Sequence, residues 1–222
     1  MSTIDERYHL SYMTLRQAIG WIGLLMPLSV RIGAMLFEGI YTTDSISAYY
    51  YTGMRDAFVS TLVLVGVLLT CYRTPEKQDT WVCLVAGLAA AGIGLFPMDP
   101  TFADEIIRTH PDVITDKCYL NRGILGFHHY CVITFFFLVF YLVYFRFRAL
   151  TPSNPSPQKL LRNRIYKACG LVMLASFAAI GILVVFAQGA SIFWPETTAV
   201  VAFAIAWLVK GQRFVRDNVA SR

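Results

Sequence analysis

The chain has 222 residues, of which 56% are hydrophobic and only 15% charged, and its formal net charge is +5. Water-soluble domains rarely carry so few charges. The apolar residues fall in uninterrupted blocks of about 20, the length a helix needs to cross a hydrocarbon core. A soluble enzyme is thereby excluded. No nucleic-acid motif is present, and the basic residues read as topology signals and headgroup contacts, so no nucleic-acid partner is expected.

In chain order the blocks fall at 17–37, 56–72, 80–98, 123–145, 168–188 and 193–211. Lipid cannot satisfy backbone polar groups, so each block is predicted to be a helix. The expected fold is therefore all-α, a polytopic membrane protein forming a six-transmembrane-helix bundle in which 1–222 is a single domain. No small-residue cleavage site follows the first block, which reads as a signal anchor. The turn Arg73–Asp79 makes a hairpin of the second and third blocks. Residues 151–157, with Pro152, Pro155 and Pro157, read as a flexible cytoplasmic linker.

Arg7, Arg16, Arg73, Lys77, Arg146, Arg148, Lys159, Arg162, Arg164, Lys167, Lys210, Arg213, Arg216 and Arg222 lie on the N-terminal side of the blocks. The other side has only Arg31, Arg55, Arg108, Lys117 and Arg122, together with most of the acids. The positive-inside bias then puts both termini in the cytoplasm (N-in/C-in), in a multi-pass protein of the bacterial inner (plasma) membrane. Cys71, Cys83, Cys131 and Cys169 read as packing thiols, and Cys118 lies alone in an outer loop.

Two outer connections, Glu38–Arg55 and Asp99–Arg122, are long and rich in Tyr, Asp, Thr and His, and loops of that length carry function or fold over the bundle. Arg31 lies inside the first block. A charge there costs roughly 2.5–3.5 kcal/mol, which an ion pair, snorkelling or an anionic ligand would offset. Ser45-Ile46-Ser47-Ala48-Tyr49-Tyr50-Tyr51 leads to Arg55 and Asp56 at the start of the second block. Asp56 there suits a helix N-terminus, and the tyrosines suit an interfacial aromatic belt. Asp99 sits between the end of the third block and Pro100. His128 and His129 are adjacent in the fourth, about 100° apart around the helix, and His129 is taken as the inward one. Glu196 follows Trp194-Pro195 at the start of the sixth. Arg31, Asp56, Asp99, His129 and Glu196 share one outer level, which points to a polar cavity open to the outside.

Ser45-Ile46-Ser47, the acidic opening of the second block, a histidine in the outer fourth block and the acid beside Trp194 together resemble the DRAM/Frag/Sfk group of six-helix membrane proteins. Met54-Arg55-Asp56, His129-Tyr130 with Phe136-Phe137, and Ala204-Ile205-Ala206-Trp207-Leu208-Val209-Lys210-Gly211 are similar to related uncharacterised bacterial integral membrane proteins. The chain departs from the eukaryotic pattern at Ala48-Tyr49 and Pro195. The resemblance implies a lipid context, in lipid remodelling or membrane trafficking.

The expectation is a membrane-lipid partner bound or altered in an outward-facing polar pocket, with hydrolysis or acyl transfer as the chemistry. His129, Asp56, Asp99 and Glu196 are the candidate catalytic groups. Arg31, Ser45, Ser47, Tyr49, Tyr50, Arg55 and His128 are the candidate substrate-binding residues, Ser47 being also a candidate nucleophile. His129, Asp56 and Asp99 are the candidate ligands of a divalent metal such as zinc. The alternative is a non-enzymatic lipid or small-molecule receptor or partner-binding scaffold. Transport fits less well, because the polar groups cluster toward one face rather than the midplane.

Overall fold

The computed structural model describes residues 3–99, 103, 106, 108, 126–149, 151, 154–187 and 189–215, with side chains from residue 12 onward. Every regular element among them is helical. The long helices are α1 (Thr3–Glu38), α2 (Arg55–Cys71), α3 (Lys77–Leu95), α4 (Gly126–Ala149), α5 (Pro157–Phe186) and α6 (Phe193–Lys210). Ser47–Tyr51 is a short 3-10 helix between α1 and α2, and a π-helical turn at Leu142–Arg146 lies within α4. Four helices, α1 over Tyr12–Glu38 with α3, α4 and α5, are long and apolar enough to cross a membrane. The chain is thus a membrane protein. α2 has 17 residues, and α6 has 18, opening on Trp194-Pro195-Glu196 and ending on Lys210.

Which face each helix buries follows from its spacing. α2 buries Phe58, Leu62, Val65 and Leu69, and α5 buries Arg162, Tyr166, Cys169, Met173 and Ser176, each a single stripe at three- and four-residue steps. The opposite faces present apolar side chains outward, Leu64 and Val67 on α2 and Leu171 and Leu174 on α5. Such surface is unfavourable against water and indifferent against lipid tails, which are equally apolar. α6 is the innermost helix, with Ala202, Phe203, Ala204, Ala206, Trp207, Leu208 and Val209 all buried. It packs between α1 and α5, while α2 pairs with α3 and α3 with α4. α2 and α3 cross at Gly66 and Gly87, where a Cβ on either would meet the other's carbonyl oxygen at 2.6 and 2.5 Å. Only glycines permit that approach.

α1 and α5 extend beyond the apolar blocks 17–37 and 168–188. The polar stretches before them carry no breaker, and α5 begins at Pro157, where Ser156 caps by accepting from the Lys159 amide at 3.2 Å. At the other end of α1, Gly39 has φ +70° and the Ile40 amide returns to the Ala34 carbonyl at 3.2 Å. That turn sends the chain back across the bundle instead of onward. Cys118, Lys117 and Arg122, most of the second long loop, and residues 123–125 of the predicted fourth block lie outside the described residues.

Candidate functional site

The first loop does not sit at the surface. Thr43, Ser45, Ile46, Ser47, Ala48, Tyr49, Tyr50, Tyr51 and Thr52 are all buried. A buried loop must find partners for its backbone, and this one finds them on α6 and on the segment that leads into it. The Ile46 amide donates to Glu196 Oε2 on α6 at 2.6 Å. The Ile192 amide donates to the Asp44 carbonyl at 2.7 Å, and the Ser191 hydroxyl reaches the Thr43 carbonyl at 3.1 Å. The Tyr51 hydroxyl donates to the Met98 carbonyl. Ser45 caps the 3-10 turn, its Oγ accepting from the Ala48 amide at 3.1 Å.

His128 completes the set. It is 2% exposed, and its Nδ1 lies 2.8 Å from the Phe96 carbonyl while its Nε2 lies 3.0 Å from Ser47 Oγ. A carbonyl only accepts, so Nδ1 carries the proton and Nε2 of the neutral ring is left to accept from the Ser47 hydroxyl. A serine facing a ring nitrogen whose opposite nitrogen is fixed by an acceptor has the geometry of a base-activated nucleophile. His129 is the half-buried one, its ring 5.6 Å from that of His128. The inward histidine is therefore His128, not His129 as the sequence suggested. An adjacent pair fixes the angle between two side chains but not which of them meets the neighbouring helix.

Ser47 and Glu196 share a cavity of about 50 Å³ lined by Gly23, Thr61, Phe135 and Phe203 among other apolar side chains. That is room for about one or two waters. Pro27 lies inside α1 and has no N–H to give the Gly23 carbonyl, one turn earlier. The result is a small, mostly apolar chamber with the Ser47 and Glu196 side chains in its lining.

No protein-family model, curated protein or solved structure matches this chain. Its chemistry is read from the geometry alone.

The remaining predicted site residues are distributed more widely. Asp56 is exposed in the first turn of α2, where a carboxylate faces the positive end of the helix dipole. It does not meet His129 and Asp99. Among the described residues no three His, Cys, Asp or Glu side chains gather as a metal site, so the expected zinc ligands are not assembled. Asp99 is half-buried just beyond α3. Arg31 lies across the rings of Phe193 and Trp194, 5.1 and 4.9 Å from their centroids, a cation–π arrangement that accounts for a charge at this depth. Arg55 donates to the Tyr50 hydroxyl at 2.6 Å.

The three tyrosines are not an interfacial belt. Tyr49, Tyr50 and Tyr51 are 0, 5 and 1% exposed and plug the end of the bundle, Tyr49 edge-on to Phe193 at 6.1 Å. Burial raises the Tyr49 phenol above its ordinary value. The Ile46 amide and the Phe96 carbonyl, which hold the site together, are backbone groups with no sequence signature. Thr61 was missed as well. A threonine inside an apolar block gives no sign of which face it occupies.

Proposed function

We propose that this is a six-span integral membrane protein of the bacterial inner membrane, both termini cytoplasmic, whose chamber takes the acyl ester of a membrane lipid. Ser47 and His128 then cleave or transfer the acyl group. The observation that carries this reading is the 3.0 Å contact between Ser47 Oγ and His128 Nε2, with Nδ1 anchored on the Phe96 carbonyl. In the reaction Ser47 Oγ attacks the ester carbonyl carbon. Its proton passes to Nε2 and then to the departing alkoxide. Water or a second alcohol takes the acyl group from Ser47, returning its own proton through the same nitrogen. The apolar wall formed by Phe135 and Phe203 suits the first carbons of the chain, and Glu196 is a second acid–base group in the same space. The resemblance to the DRAM/Frag/Sfk group agrees with a lipid substrate.

A second reading is favoured by how tightly the first loop is held. Ser47 is 9% exposed, and the His128 contacts also serve to tie the loop down. In that case the chamber is the recognition site of a non-enzymatic lipid or small-molecule receptor. Exposure of the purified full chain to an alkyl fluorophosphonate separates the two. The enzyme reading expects one adduct, on Ser47, and release of fatty acid from phospholipid vesicles that Ser47→Ala abolishes. Absence of both, with the chain folded, leaves the receptor.

A further inference from the structure

Arg31 is a charged group close to the chamber that the chemistry at Ser47 does not use. It lies on α1 five residues beyond Met26, which lines the chamber, and so about 7.5 Å farther along the helix. Its ring partners Phe193 and Trp194 stand three and two residues before Glu196, at the very start of α6. Both helices thus place the guanidinium just beyond the chamber, at the outer end of the bundle in the proposed orientation. Phe193 joins the two places. Arg31 lies 5.1 Å from its centroid, and Tyr49, two residues after Ser47, meets the same ring at 6.1 Å.

The rings of Phe193 and Trp194 stabilise the charge of Arg31 but offer no oxygen to its N–H groups. Among the described residues the guanidinium has no hydrogen-bond or ion-pair partner. A cation at membrane depth ordinarily finds an anion as well as a ring. Arg31 also stands at the boundary with lipid. It is half-buried, while Leu28 and Met35, on the same face of α1, are exposed. Trp194 beside it is exposed too, and a tryptophan at a helix end marks the headgroup level. A ligand therefore reaches this guanidinium from the bilayer, at the depth where lipid phosphates lie.

We propose that Arg31 binds the phosphate of the lipid whose acyl ester enters the chamber, which makes the substrate a glycerophospholipid and not a neutral acylglycerol; this rests on the chamber being where that ester lies. The fork of N–H donors meets two phosphate oxygens at once, and the two rings fix its place. Phosphate and ester are a few bonds apart in such a lipid, a separation of the same order as the step from Met26 to Arg31.

The test uses the full chain in neutral detergent with phosphatidylglycerol and diacylglycerol of identical acyl chains. Binding is read first on Ser47→Ala, which cannot form an acyl adduct at that residue, from the gain in Tm as lipid is added. Phosphatidylglycerol is expected to bind about tenfold or more tightly than diacylglycerol, and Arg31→Gln in the same background should erase that preference. Arg31→Lys keeps the charge above the rings but not the fork, so its preference should be intermediate, and it replaces Arg31→Gln if that variant does not fold. No preference for phosphatidylglycerol, or one undiminished in both variants, overturns the proposal. An equal gain from millimolar inorganic phosphate alone overturns it too.

Turnover then separates Arg31 from Ser47. Fatty acid release should favour phosphatidylglycerol, and Arg31→Gln should lower that ratio chiefly by raising KM for the phospholipid. Ser47-dependent release at equal rates from both lipids overturns the role of Arg31 and leaves cleavage at Ser47 standing. No release from either lipid, with the Arg31-dependent preference intact, removes the cleavage and leaves Arg31 as the phosphate ligand.

Discussion

Glu196 is the latch of the first loop, and breaking it should free the segment that carries Ser47. The Ile46 amide donates to Glu196 Oε2 at 2.6 Å inside the bundle. A hydrogen bond to a charged group contributes about 1.5–3 kcal/mol, and about 1.4 kcal/mol is tenfold in an equilibrium constant. Glu196→Ala should therefore raise the population of the locally open loop, and amide exchange over residues 45–51, by roughly 10- to 150-fold. The ties at Asp44, Thr43 and Met98 remain, so global unfolding should move much less. Glu196→Gln keeps an acceptor for Ile46 and loses only the charge, so its effect should be nearer fivefold to tenfold. Hydrogen exchange with peptide-level mass spectrometry reads this directly, with a peptide from α2 as the internal reference. Unchanged exchange over 45–51 in Glu196→Ala would refute the latch. An equal rise in α2 would show that the residue supports the whole fold instead.

Other substitutions probe the remaining contacts. Ser47→Ala and His128→Gln should each destabilise by about 1–2 kcal/mol, and the double variant should cost about 1 kcal/mol less than their sum, because the two share one hydrogen bond. Strict additivity in urea unfolding would mean the pair is not coupled. Gly87→Ala drives a Cβ to 2.5 Å from the Gly66 carbonyl oxygen and 2.7 Å from Thr70 Cγ2, so the α2 backbone itself has to give way. It should cost about 2 kcal/mol and lower Tm by about 4–8 °C, and an unchanged Tm would contradict the close crossing. Tyr51→Phe deletes a donor to the Met98 carbonyl and should cost about 1 kcal/mol. Tyr49→Phe removes a buried hydroxyl with no hydrogen bond of standard geometry and should fall within about 0.5 kcal/mol of neutral. The reverse order of those two stabilities would count against the tucked loop.

The helices were readable because the bilayer imposes length and apolarity, which are properties of the string itself. Each of the six predicted blocks coincides with a helix among the described residues, and α1 and α5 are lengthened by polar extensions. Ser47, His128 and Glu196 were legible as candidates because polar groups beside apolar blocks are costly and therefore conspicuous. Their grouping was not. It depends on the rotation of α4, which decides between His128 and His129, and on a loop that turns inward at Gly39. Neither rotation nor loop direction has a periodic signal. Asp56 misled for a related reason, since a carboxylate that caps a helix and one that serves a site look alike in one dimension.

The first loop also constrains the order in which the protein is built. Ile46 is joined to Glu196 across 150 residues, and the Ser191–Thr43 and His128–Ser47 contacts span 148 and 81. Synthesis runs from the N-terminus, so the loop emerges long before the helices that hold it. Until residues 192–196 are made, the Ile46 amide and the Asp44 carbonyl lack their final partners. Four further helices, α2 to α5, are made before those partners arrive. α6 is the helix that closes the first loop, so a ribosome stalled before residue 196 would leave the Ile46 amide without its Glu196 partner.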